Sequence, residues 1–293
     1  MLATTLAVLL LQLPSPVVAR LPVSLPAPAV VEVQDDRSRF AALMAFAQDE
    51  ELGARPLGEI AVALGEQLRG LPYAAGVLDA SPEETLIAPL DRFDCVLFVE
   101  SVLALARGVA EGDSTYDGYL RRIEAQRYRG GAMHGYGSRL HYFTEWVADG
   151  SERGLVEDVT ATLPGSASYA KALTFMSANR ERYPRLRSDS LFAEILRAEA
   201  RLAARSQHYV PKARVRAAYP ALQTGDVIAT TTDTPGLDVT HVGFAVVNED
   251  SSVSFLHASP GRGVILAPDL MGYLARNPKQ TGVLVARPLG ARG

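Results

Sequence analysis

The 293 residues contain one cysteine, Cys95, within the stretch RFDCVLFVESVLALARG. The positions after it, Val96, Leu97, Phe98, Val99, Val102, Leu103, Leu105 and Ala106, are apolar almost all round, which predicts a helix buried at the centre of the fold. Asp94 is a good helix-capping residue, so Cys95 is expected in the first turn, its sulfur near unpaired N–H groups and the positive end of the helix dipole. Those donors favour a thiolate and lower a thiol pKa from its free value of about 8.5. The plainer alternative is an inert, packed core cysteine.

A thiol nucleophile needs a base that can later protonate a leaving group, and histidine does both near neutral pH. Of the five histidines, His241 in THVGFAVV and His257 in SFLHAS lie on consecutive expected strands. Alternation groups Val239, His241 and Gly243 on one face of the first strand, and Phe255, His257 and Ser259 on one face of the second. Pairing of the two strands could set the imidazoles side by side, one as base and the other fixing its tautomer. Small neighbours, Gly243 and Ala258, leave room for the rings; the alternative is two unrelated strand histidines at polar ends. Asp238 falls on the face away from His241 and is not expected to orient it. His134 and His141, seven apart with no cysteine partner, do not make a zinc site, and no cofactor is expected. His208 reads as a surface residue and Glu100 as a buried, partnered carboxylate. No G-x-S-x-G elbow occurs.

The elements that must position these groups divide into a helical front and a β-rich back. From Asp35 to about Ser206 the chain reads as helices, with three-and-four apolar spacing in DDRSRFAALMAFAQDEE (Phe40, Leu43, Met44, Ala47) and in LGEIAVALGEQLRG, which stops at Gly70. Ser81, Pro82 and Glu84 match a capped helix start, and YDGYLRRIEAQ, SRLHYFTEWVAD and DSLFAEILRAEARLAARS continue the pattern. After Pro211, DVIATTT, VTHVGFAVV, VSFLHAS, GVILA and GVLVARP are short β-branched runs separated by turn residues, expected as antiparallel strands. Helices first and strands afterwards predict an α+β fold, without internal repeats.

The opening MLATTLAVLLLQLPSPVVA reads as a signal peptide at residues 1–19, with Val17 and Ala19 at small-residue cleavage positions, although no Lys or Arg precedes its apolar run. Pro14 and Pro16 break that run below the roughly 18 residues of a membrane span, so no stable span is expected. Export to the periplasm or outside the cell follows, and a lipid anchor on an N-terminal cysteine does not. Residues 20–34 form a Pro-rich spacer, and residues 35–293 are read as one catalytic domain with helical elaborations. A net charge of −4 gives no electrostatic reason to expect nucleic acid or an anionic membrane as partner. One cysteine cannot form an internal disulfide, so in an exported chain it is a candidate reactive thiol.

The order FDC at a helix start, TGDVIA, THVGFAV and LHAS resembles the NlpC-type papain-like cysteine peptidases that cut bacterial cell-wall peptides. GLPYAAGVLD, FDCVLFVES, RYRGG, SRLHYFTEW, FMSAN, GLDVTHVGF and LHAS bring it closer to their N-acetylmuramoyl-L-alanine amidase-like branch, over about residues 55 to 288. The resemblance implies a papain-like fold, with the helix bearing the cysteine packed on an antiparallel sheet bearing the two histidines. It implies Cys95 as nucleophile, His241 as base, His257 as the polar third member, and Tyr73 as an aid to the oxyanion beside the Cys95 N–H. It also implies peptidoglycan fragments as substrate, cut between N-acetylmuramic acid, in its 1,6-anhydro form or not, and L-alanine. Val96 and Leu97 stand where a Thr or Ser is more usual.

The stretch RYRGGAMHGYGSRLHYFTEW suits such a ligand on physical grounds. Arg127, Arg129 and Arg139 could pair with stem-peptide carboxylates, and Tyr142 and Trp146, four apart on one helix face, could lie against a sugar. The alternative makes the aromatics core and the arginines a solvated face. Two other functions stay open at this point: an endopeptidase cutting between D-glutamate and diaminopimelate, and a non-catalytic binder of cell-wall fragments. The oligomeric state is left open.

Overall fold

Burial of the Cys95 helix on all sides fixes the plan of the molecule. In the computed structural model, which describes residues 36–290, this helix runs Cys95–Glu111 and is buried almost continuously from Leu97 to Gly108. The front of the chain supplies its neighbours: α1 (Asp36–Asp49), α2 (Leu57–Gln67), α3 (the Cys95 helix itself), α4 (Tyr116–Arg127) and α5 (Phe143–Glu152). The first helix buries Phe40, Leu43, Met44 and Ala47, the face expected from spacing. A segment of short pieces follows: β1 (Val156–Asp158), β2 (Ala167–Ser168), α6 (Phe175–Ala178), α7 (Asp189–Ala203), β3 (His208–Pro211) and α8 (Val215–Ala218). The β-rich back comprises β4 (Val227–Thr232), β5 (Val239–Val247), β6 (Val253–Ser259), β7 (Gly263–Ala267), α9 (Leu270–Ala275) and β8 (Gln280–Pro288). The leader and the Pro-rich spacer lie outside the described residues. No helix among the described residues is long and apolar enough to cross a membrane.

The result is an α+β fold around an antiparallel sheet of order β2-β3-β8-β4-β5-β6-β7, with β1 also on β8. Its two faces are covered differently. Val227, Ala229, Val242, Phe244, Leu256 and Ala258 point into the core shared with α1 to α5, where Phe98 of α3 meets Phe244 edge-on. Ile228, Ala245, Phe255, Val283 and Val285 face a smaller core closed by α8 and by Leu270 and Leu274 of α9. The small strands β1 and β2 lie in the stretch expected to be helical, and β3 falls between it and the expected strands; two to four residues carry too short an alternation to stand out.

Ser81, Pro82 and Glu84 do not open a helix. Ser81 Oγ accepts from Glu83 N at 3.3 Å, and Glu84 is taken instead by Tyr128, Arg139 and Arg185, bonds unavailable to a residue reaching back along its own helix. Deep in the helical layer, Glu100 of α3 accepts from Arg127 Nε at 2.7 Å, each 2% exposed, and Arg127 also donates to Ile87 O. A buried ion pair of this kind is costly to break from one side. Glu100→Ala leaves the guanidinium without its counter-charge, and the expected loss is about 3–5 kcal/mol, read as a lower urea midpoint.

Candidate active site

Cys95 is placed by its cap. Asp94 Oδ1 accepts from Leu97 N at 2.8 Å in the extended backbone of an N-cap residue, so the helix begins at Cys95 as expected. The backbone N–H groups of Val242 on β5, of Val96 and of Cys95 itself lie near enough to the sulfur to favour its charged form. Val242 is free to do so because β5 and β6 stop pairing: their ladder runs from Val247 opposite Val253 to Phe244 opposite Leu256 and goes no further. Past that point the edge of β5 is open, and the half-buried Cys95 lies against it.

The histidines arrive from the other face. Alternation sets His257 beside Phe255, on which its ring stacks at 4.7 Å, and His241 follows onto the same side, 6.1 Å from the Phe255 ring. His241 Nε2 lies 2.6 Å from His257 Nδ1, the rings nearly perpendicular. Gly243 makes this possible: a Cβ there would sit 2.5 Å from Leu256 O and 2.7 Å from His257 Cβ. Tyr273 of α9 closes over the pair, its ring 4.8 Å from His257 and 5.7 Å from His241. Sequence reasoning missed Tyr273, which sits in a six-residue helix with no motif around it.

The opposite wall is the Leu71–Tyr73 loop. Pro72 O accepts from Phe93 N, Ala74 N donates to Phe93 O, and Leu71 O accepts from Val264 N, tying the loop both to the residues before Cys95 and to β7. Gly263 adopts φ +71 at that junction, where a side chain would collide with Leu71 O. Tyr73 is thereby held near Cys95, Asp94 and Tyr273; burial first, and then those neighbours, push its hydroxyl up to about 12. A cavity of about 150 Å³ joins Cys95 and His241, walled by His141, Phe143, Trp146 and Asp238 among others. Among the described residues no group of three or more His, Cys, Asp or Glu stands ready to hold a metal.

Residues 63–283 match the AmiA-like family, described as N-acetylmuramoyl-L-alanine amidase-like. The chain belongs to this family. It is an amidase-like hydrolase. Solved relatives agree: an N-acetylmuramoyl-L-alanine amidase from Bacteroides uniformis is 32% identical, with a TM-score of 0.72 over 79% of this chain and 98% of that one. A Bacteroides fragilis protein carrying the provisional name of a xylanase is 36% identical, with a TM-score of 0.69 over 76% and 98%. A Legionella pneumophila protein at 18% identity and a TM-score of 0.61 shares the fold. Comparison with curated proteins gives no match.

In this amidase-like chain the residues expected to grip the ligand are mostly internal struts. Arg127 is committed to Glu100. Arg139 is buried and holds Glu84 at 2.6 Å and Asp79 at 3.0 Å. Arg129 pairs with Glu145 at 2.8 Å and donates to Gly137 O. Tyr142 is buried and donates to Glu199 at 2.7 Å. For Arg127, Arg139 and Tyr142 the glutamate that claims the side chain lies 27 to 57 residues away, whereas Glu145 lies 16 from Arg129, within the same stretch. Trp146 differs, since its ring, stacked on Phe143 at 5.0 Å and only 4% exposed, lines the cavity beside Cys95. Asp238 accepts from the N–H groups of Thr144 and Val239 and does not touch an imidazole. His141 rests its Nε2 against Tyr136 O at 2.9 Å. His208 is half-buried at the start of β3.

The thiol also departs from expectation. Burial pushes Cys95 up to about 12, with the Asp94 charge adding to it, and the three N–H donors only partly offset that. Burial lowers His241 to about 4 and holds His257 down as well, helped by the neighbouring His241 and Arg262. The resting pair is therefore a neutral thiol and a neutral imidazole. Alkylation of Cys95 by iodoacetamide is expected to be slow at neutral pH and to climb about tenfold per pH unit into the alkaline range. A rate already level between about pH 6 and pH 9 would reveal a preformed thiolate instead.

Proposed function

We propose that this chain hydrolyses the amide joining the lactyl group of N-acetylmuramic acid to L-alanine in peptidoglycan fragments, through Cys95, His241 and His257. The observation that carries the reading is the 2.6 Å contact between His241 Nε2 and His257 Nδ1, which leaves His241 Nδ1 for the thiol sharing its cavity. In the first step Cys95 Sγ bonds to the lactyl carbonyl carbon while its proton passes to His241 Nδ1. The oxyanion is received by the Cys95 N–H and by the Tyr73 hydroxyl, whose raised pKa keeps it a donor at neutral pH. Collapse breaks the C–N bond as His241 returns the proton to the departing L-alanine amine. Water, deprotonated by His241, then releases the acid from the thioester. Because thiol and imidazole rest neutral, proton transfer accompanies attack rather than preceding it.

The NlpC-type, papain-like reading of the fold belongs to the same proposal. It is supported by a helix that presents its first residue to a sheet carrying two paired histidines. Export to the periplasm or beyond rests on the leader sequence alone. A glycan-chain hydrolase is a poorer fit. It needs two carboxyl groups about 5–10 Å apart across the scissile bond. The carboxylates beside Cys95, Asp94 and Asp238, are instead bonded to backbone N–H groups.

Incubation with anhydro-disaccharide tetrapeptide and with the ordinary disaccharide tetrapeptide, followed by mass spectrometry, tests the proposal. Release of an intact tetrapeptide is expected from the wild type and not from Cys95→Ala, and the sugar preferred defines specificity. Cleavage within the peptide would mean an endopeptidase. Tyr73→Phe should lower kcat by about a hundredfold, the usual effect of one lost oxyanion donor. The rate should fall with acid only as His241 protonates. Its acid limb in kcat/KM therefore lies near the lowered value of about 4, not near the ordinary histidine value of about 6.5.

A further inference from the structure

On the far side of the imidazole pair lies a second cavity, of about 200 Å³, lined by His257, Ser259, Arg262, Tyr273, Arg276 and Asn277 among others. His257 is 1% exposed, and its Nε2 has no hydrogen-bond partner among the described residues. A buried polar atom left unpaired is unfavourable, and a partner such as a water or an ion is one way to satisfy it. At the rim, Arg262 and Arg276 are exposed and make no ion pair among the described residues, and no Asp or Glu lines the space. By contrast, the arginines around the first cavity and the helical layer, Arg127, Arg129 and Arg139, each hold a carboxylate.

The proton order of the base supplies the missing polarity. For His241 Nδ1 to accept from the thiol, its hydrogen must sit on Nε2 and be donated to His257 Nδ1. A neutral His257 then carries its hydrogen on Nε2, an unpartnered atom of a ring that lines the cavity. We propose that this cavity binds a carboxylate, held by the His257 Nε2–H and by the guanidinium groups of Arg262 and Arg276. An anion there favours the tautomer of His257 that accepts from His241, so occupancy of the back cavity holds the base in its working form. The part played by proton order rests on His241 acting as base; the cavity, the orphaned nitrogen and the unpaired arginines stand without it.

Two sources share this chemistry: a carboxylate of the stem peptide, or a small free carboxylate. The experiment follows the His257 ¹⁵N resonances in chloride-free buffer during titration with acetate, using Cys95→Ala protein so that nothing turns over. A saturable shift at Nε2 is expected, with affinity about tenfold weaker for each arginine removed in Arg262→Gln and Arg276→Gln. Both side chains are exposed, so the variants should fold; their melting temperatures check this. Displacement of acetate by a muropeptide with free stem carboxylates, and not by its amidated form, assigns the site to substrate. Failure of both to displace assigns it to a free anion. Absence of a saturable shift, or an affinity unchanged in the double variant, overturns the proposal. An inactive wild type that still binds acetate would remove the amidase reading and leave the anion site standing.

Discussion

The ladder of strand β5 to β6 ends at Phe244, and at the next residue, Gly243, the two strands lie so close that any side chain would meet Leu256 O, His257 Cβ and the Phe255 ring. Glycine at that position lets the chains pass closely and then part. Everything catalytic is organised by the gap. The edge of β5 becomes free to give the Val242 N–H to sulfur, the helical layer reaches the gap through the first turn of α3, and the imidazoles reach it from the opposite face. Nucleophile and base thus belong to different cores of the molecule and meet where the sheet is interrupted. Their alignment depends on both layers being packed, which is why α9 and Tyr273 bear on chemistry despite lying far from the helical front.

The same arrangement explains the resting ionisation. A helix start and three N–H groups are ordinarily enough to make a thiol acidic. Here the sulfur and both rings are enclosed by Phe255, Tyr273, Phe143 and Trp146, and desolvation outweighs the donors. A site that rests uncharged generates charge only as the substrate carbonyl is attacked, where the donors are already aimed.

Much of this plan was legible in the chain. The Asp94 cap, the all-round apolar helix after Cys95 and the alternation through His241 and His257 are local signals, and local signals survive folding. Gly243 could be read as room for the rings, though not as the place where two strands pass this closely. What sequence alone misjudged was long-range partnership. An arginine reads as a ligand-binding group until its carboxylate is known: Glu100 lies 27 residues from Arg127, and Glu84 lies 55 from Arg139. Ser81 to Glu84 failed as a helix start for the same reason, since distant arginines compete for Glu84. Helix α9 gave no cue because six residues hold too little periodicity.

Glu84 shows what such partnership implies for change over time. This one carboxylate, 4% exposed, accepts from Tyr128, from Arg139 at 2.6 Å and from Arg185 at 2.7 Å, joining three segments that lie as much as 101 residues apart. Each donor would be left with a buried, unmatched group if its neighbours were exchanged singly. The segments around residues 79–84, 128–139 and 182–185 are therefore a linked inheritance. A relative acquiring a different wall beside the cleft must replace the cluster as a set, so its four residues should co-vary among descendants even though none of them touches the thiol.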